Sequence, residues 1–148
     1  MLRVLGLGDR KCFAEPVDFA MMAGKESRYG GTLYRDGKSR VLPVAAIYGA
    51  NAAGKSTLLD ALAHLQVMLR EPRKRGQRLH YHPHQLFGTD RPSVIGVEID
   101  LDGQDAAADG EAIVYYEVAV NADTVVEEVR YRVRSSSKEG VFEREGQD

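Results

Sequence analysis

Gly49-Ala50-Asn51-Ala52-Ala53-Gly54-Lys55-Ser56 is the stretch on which the fold turns. Its spacing is G-x-x-x-x-G-K-[ST], a pattern whose chemistry suits a polyphosphate. The pattern is short, so its flanks matter. Leu42-Pro43-Val44-Ala45-Ala46-Ile47-Tyr48 precedes it, an apolar run that predicts a buried strand. Thr57-Leu58-Leu59-Asp60-Ala61-Leu62-Ala63-His64-Leu65 follows, with apolar residues at helical spacing. Strand, glycine-rich loop and helix are the context in which this spacing carries its chemistry.

Gly49 and Gly54 permit backbone angles and close approaches that a side chain would block. Small Ala50, Ala52 and Ala53 keep the loop lean, so successive N–H groups can face phosphate oxygens. The helix that opens near Gly54 adds its positive N-terminal end. In a loop of this kind Lys55 reaches the β- and γ-phosphates, the Ser56 hydroxyl ligates Mg²⁺, and Thr57 bonds the α-phosphate. The alternative is an ordinary strand–turn–helix carrying a surface lysine; motif and context together outweigh it.

The chain of 148 residues is long enough for one domain with a core, and its 43% hydrophobic and 28% charged content are those of a globular protein. No apolar run approaches a membrane span, and the N-terminus lacks the pattern of a signal peptide. Cys12 is the sole cysteine, which excludes a disulfide framework and a cysteine-based zinc site and makes a reducing cytoplasm the simplest setting. The net charge of −2 hides an asymmetry. Residues 1–84 hold 14 Lys+Arg against 7 Asp+Glu; residues 85–148 hold 6 against 15. The half with the glycine-rich loop is basic and the following half acidic.

Leu2 to Leu7 and Val17 to Met22 read as strands. Thr32-Leu33-Tyr34 and Arg40-Val41-Leu42 flank Asp36-Gly37, a hairpin signal. The helix places Leu58, Ala61, Leu62, Leu65, Met68 and Leu69 on one face and stops before Glu71-Pro72. Its expected packing is back onto the sheet in a parallel α/β arrangement. Arg70, Arg73, Lys74, Arg75 and Arg78 form a basic cluster, read as a solvated loop in preference to a nucleic-acid contact because Tyr81 is its only nearby aromatic. His80, His82 and His84 alternate, but no cysteine or carboxylate beside them completes a metal ligand set. Val94 to Leu101, Ile113 to Val120, Val125 to Val133 and Val141 to Arg144 predict an antiparallel meander with one solvated face, with Ser135 to Gly140 as a turn.

The run Leu42 to Ser56 resembles the start of bacterial ABC-type ATP-binding proteins of the AAA or abortive-infection group, which are related to OLD nucleases and more distantly to RecF and SMC ATPases. Val17 to Glu26, Arg91-Pro92-Ser93 leading into Val97 to Asp100, and Val126 to Val129 with Val141 to Gly146 resemble further stretches of that family. The resemblance implies a P-loop NTPase N-terminal lobe: an α/β fold with a mixed sheet, the phosphate-loop helix and an antiparallel β meander. It implies ATP and Mg²⁺ as cofactors. It assigns nucleotide binding to Gly49 through Thr57, and to Lys11, which falls where relatives carry a basic residue after the first strand. The chain reads Asp9-Arg10-Lys11-Cys12-Phe13 where the family has Asn-Phe-Arg-Ser-Phe. Gln85 is the candidate for the glutamine that senses Mg²⁺ beside Ser56.

The family's Mg²⁺-binding aspartate and catalytic glutamate follow a run of apolar residues, and no Asp-Glu pair of that kind occurs here; nor does a Leu-Ser-Gly-Gly-type signature. The expectation is therefore one ATPase lobe, truncated before those motifs, with a nucleotide-binding core start over 1–84 and an antiparallel β subdomain over 85–148. Such a lobe binds ATP–Mg²⁺ and does not hydrolyse it efficiently alone. In the family, two protomers sandwich the nucleotide. The resemblance thus implies a homodimer, or pairing with a full-length ATPase or effector subunit, a cytoplasmic role in phage defence or DNA transactions, and nucleic acid as a further partner class. Two other readings compete: a small P-loop kinase, disfavoured by the β-rich second half, and a non-enzymatic regulator that pairs with a full-length ATPase.

Overall fold

A computed structural model describes residues 1–24, 30–36, 39–70, 81–87, 91–101, 112–134 and 137–146. Its elements in chain order are β1 (Leu2–Gly8), β2 (Val17–Ala20), β3 (Tyr34–Asp36), β4 (Ser39–Val41), α1 (Lys55–Arg70), β5 (Ser93–Leu101), β6 (Ala112–Val120), β7 (Val125–Arg134) and β8 (Ser137–Glu145). Six strands form one sheet in the order β2-β1-β5-β6-β7-β8, and β3 pairs with β4.

Strict alternation builds the sheet's buried face. Leu5 and Leu7 of β1 lie in register with Val97 and Ile95 of β5, and these with Tyr116 and Val118 of β6. All six are nearly inaccessible, and Leu58, Ala61 and Leu65 of α1 close over them. The period of 3.6 on the helix and of 2 on the strands thus meet at one core. The opposite face carries Gly6, Gly96, Glu98, Tyr115 and Glu117, a polar set that suits a one-sided antiparallel sheet. Burial pushes the Tyr115 phenol above its ordinary pKa, and its hydrogen bond to the Glu117 carboxylate adds to the shift.

β1 and β5 are tied by a buried ion pair. Arg3 donates to Asp100 Oδ1 at 2.8 Å and to Glu98 Oε1 at 2.7 Å. Burial, the largest single influence, would lower the Arg3 pKa, but the contacts to Asp100 and Glu98 together outweigh it and the net shift is upward. The β3–β4 hairpin joins the chain after β2 through Ala23 N–H to Arg40 O and Leu42 N–H to Met21 O.

Three expectations change. Each strand pairing is antiparallel among the described residues, so the sheet is not mixed and α1 packs on an antiparallel sheet, not in a parallel α/β layer. The second change accompanies the first: Leu42 to Tyr48, read as a buried strand, has no regular structure, and from Pro43 onward it is exposed, with Val44 77% and Tyr48 91% accessible. No described strand pairs with it, so its apolar pattern finds no sheet to enter. Third, β8 begins at Ser137, well before Val141. It is the sheet's edge, where backbone pairing suffices and polar residues are tolerated; the register shift between Arg130 and Tyr131 leaves Val141 as the extra residue between Gly140 and Phe142. The basic residues Arg73 to Arg78 and His80 lie outside the described residues. Among the described residues no helix is long and apolar enough to cross a membrane.

Candidate functional site

The glycine-rich loop runs into the first turn of α1, where Leu58 N–H reaches Gly54 O at 3.1 Å. Two of its residues hold left-handed backbone angles: Ala52 at φ 63° and Gly54 at φ 85°. Gly54 is required twice over. A Cβ there would come within 2.7 Å of the Phe13 ring and 3.1 Å of Cys12 Sγ. Lys55 folds back over the loop, its Nζ donating to Gly49 O at 2.8 Å and to Ala50 O at 2.6 Å. Gly49 to Ala53 are exposed, Gly54 is buried, and Lys55 and Thr57 are half-buried beside exposed Ser56.

The turn after β1 forms the facing wall. Asp9 and Lys11 are also left-handed, at φ 45° and 50°, a strain typical of functional loops. Reciprocal backbone bonds of 2.8 Å between Arg10 and Phe13 close the turn. Cys12 Sγ lies 3.5 Å from Thr57 Oγ1, joining the turn to the helix start. Lys11 Nζ donates to Asp60 Oδ2 on α1 at 2.8 Å, and the fully buried Arg10 reaches the same oxygen at 3.2 Å. The Lys11 hydrogen bond is the main cause holding the Asp60 carboxyl below the usual carboxylate range, and burial lowers Arg10.

Residues 81–87 supply the third wall. Lys11 N–H bonds His82 O at 3.0 Å, and Arg10 bridges Pro83. Tyr81 OH anchors the segment to Arg91 O at 2.8 Å, and the Arg91 guanidinium stacks over Phe87 at 5.1 Å. Together the three walls enclose a cleft of 860 Å³ that Lys11, Cys12, Ala52 to Thr57 and Tyr81 to Leu86 line. That volume suits a cofactor-sized ligand.

Most residues singled out from the sequence therefore meet in one place: Ala52, Ala53, Gly54, Lys55, Ser56, Thr57, Lys11 and Gln85 share the cleft. Gly49 and Ala50 join through their carbonyls on Lys55, while Asn51 sits exposed outside the lining. Ser56 and Gln85 bring two hard oxygen donors to one cleft, a set that fits Mg²⁺, which takes one or two protein oxygens and completes its shell with water and phosphate. No cluster of three or more His, Cys, Asp or Glu able to hold a metal occurs among the described residues. Sequence reading missed Asp60 and Arg10. Asp60 follows Ser56 by one helical turn, the one signal that could have pointed to it. Arg10 stands between two charged residues, Asp9 and Lys11, and gave no sign of burial.

A family model described as "AAA domain, putative AbiEii toxin, Type IV TA system" matches residues 44–147, most of the chain. The chain belongs to this AAA-domain family, whose members are ATP-binding proteins of the P-loop type. Comparison with curated proteins and with solved structures returned no match.

Proposed function

We propose that the chain is the ATP–Mg²⁺-binding lobe of an ABC-type ATPase acting in phage defence or DNA transactions. The observation that carries this reading is the convergence of Lys55, Ser56, Lys11 and Gln85 on one cleft at the start of α1. Lys55 Nζ already gathers oxygen acceptors, the carbonyls of Gly49 and Ala50, and a triphosphate oxygen would replace them with a stronger, charged acceptor. Loop N–H groups and the N-terminal end of α1 would face the phosphates. Ser56 and Gln85 would hold Mg²⁺, which supplies charge neutralisation across the β- and γ-phosphates. Hydrolysis would need acidic residues beyond those in this cleft, contributed elsewhere in the polypeptide or by a partner. Pairing with a second copy or a full-length ATPase fits the exposed apolar run from Val44 to Tyr48. Resemblance to abortive-infection ATPases, with OLD nucleases and more distantly RecF and SMC ATPases as their relatives, supplies the biological context. A kinase is the poorer fit, because β6, β7 and β8 form an antiparallel meander where a kinase would carry further βα units.

Equilibrium binding of ATP–Mg²⁺ tests the reading. Lys55→Ala should abolish binding while leaving the circular dichroism spectrum unchanged, since its side chain is outside the core. Undiminished binding by that variant would remove the loop from the site.

A further inference from the structure

The contact between Lys11 and Asp60 has no part in the loop chemistry just described, yet it sits at the rim of the same cleft. One carboxylate oxygen, Asp60 Oδ2, receives two cations: Lys11 Nζ at 2.8 Å and Arg10 Nη2 at 3.2 Å. The two are not equivalent. Arg10 is wholly inaccessible, its Nη2 also touches His64 Nδ1 at 3.2 Å, and its backbone is pinned to Phe13 in both directions. Its Nε and Nη1 have no acceptor among the described residues, where Asp60 is the carboxylate that the guanidinium reaches. Lys11 is 37% accessible along its side chain and lines the cleft. Arg10 is therefore fixed and Lys11 is free to turn.

We propose that Asp60 is a positioning residue that competes with a triphosphate for Lys11: it holds the ammonium on the α1 side of the cleft and releases it to the phosphates, while Arg10 keeps the vacated carboxylate paired. This rests on the ATP-binding reading above. Release is cheap for two reasons. The pair is half-exposed, so its net strength is small. The carboxylate that Lys11 leaves is not stranded, because the buried guanidinium stays on the same oxygen. Asp60 thus sets how strongly a ligand must attract Lys11 before the cleft engages it.

The test is a double-mutant cycle on ATP–Mg²⁺ affinity in the full chain, using Asp60→Asn, Lys11→Met and the two combined. Asparagine keeps an oxygen for Arg10. Asp60→Asn should bind ATP–Mg²⁺ about two- to fivefold tighter, the factor expected from losing a half-exposed competing pair. Lys11→Met should bind more weakly, and adding Asp60→Asn to it should change nothing. A merely structural Asp60 would shift affinity equally in both backgrounds, and that result, or an Asp60→Asn variant no tighter than the parent, overturns the proposal. A second measurement needs no variant. In the unaltered chain, saturating ATP–Mg²⁺ should raise the titration midpoint of the Asp60 carboxyl as Lys11 departs; an unmoved midpoint overturns the proposal even if the variant fails to fold. Binding that Lys55→Ala abolishes but that shows no Lys11–Asp60 coupling would sink the Asp60 proposal alone. A folded parent chain that binds no ATP–Mg²⁺ would sink both.

Discussion

At the scale of single residues, Gly54 shows most directly how sequence becomes site. Its φ of 85° and the 2.7 Å that a Cβ would leave to Phe13 are two separate demands met by the absence of a side chain. The Phe13 contact fastens the loop to the turn that carries Lys11, so the glycine holds two walls of the cleft together. Gly54→Ala should therefore cost about 1–3 kcal/mol of stability through left-handed strain and displacement of Phe13. Chemical denaturation would measure it, and a variant as stable as the parent would contradict the close packing. The loop glycines and Lys55 were legible from spacing alone. Asp60 was not, because a carboxylate on a helix gives no sign of which charge, 49 or 50 residues away, will meet it.

Among the elements, β1, β5 and α1 make the platform on which the cleft stands. Leu5, Leu7, Ile95 and Val97 face α1, and the β1–β5 register is reinforced by Arg3 on Asp100. Their side chains are 7% and 2% accessible, so the pair sits in a medium that punishes an unpaired charge. Asp100→Ala should destabilise the fold by about 1–3 kcal/mol, because the Arg3 guanidinium loses its buried partner and keeps only the more exposed Glu98 of these two carboxylates, and Arg3→Met combined with Asp100→Leu should recover part of that loss. Thermal unfolding of the single and double variants would decide it; equal losses in both would mean the site is valued for backbone geometry and not for charge pairing. Element identity was readable wherever alternation or helical period was unbroken, as in β5, β6 and α1. It failed at β8, whose first residues are polar because an edge strand needs backbone partners more than burial.

For the whole molecule the informative feature is the run from Pro43 to Tyr48, which is apolar in sequence and exposed in the structure. Close by in sequence, α1 turns Leu59, Val67 and Leu69 outward, at 63%, 44% and 56% accessible. These residues contribute little to the described core. Val44→Ser combined with Tyr48→Ser should leave the stability within about 0.5 kcal/mol of the parent. It should also lower self-association, read as light scattering across a concentration series. A large loss of stability would mean that the run is buried in solution.

What the amino-acid sequence determined by itself is local. The glycine spacing, the helical period after Lys55 and the alternation in β1, β5, β6 and β7 are set by residues within a few positions of one another, and such patterns dictate local backbone and burial directly. What only the tertiary structure decided is which distant segments meet. β1 lies between β2 and β5, the whole sheet is antiparallel, and Lys11 and Arg10 share one oxygen of Asp60. Those outcomes depend on strand partners and on long-range charge pairing, and neither leaves a periodic trace in the chain. The run before Gly49 makes the same point in reverse: its pattern is that of a buried strand, but burial needs a neighbour, and among the described residues no strand provides one.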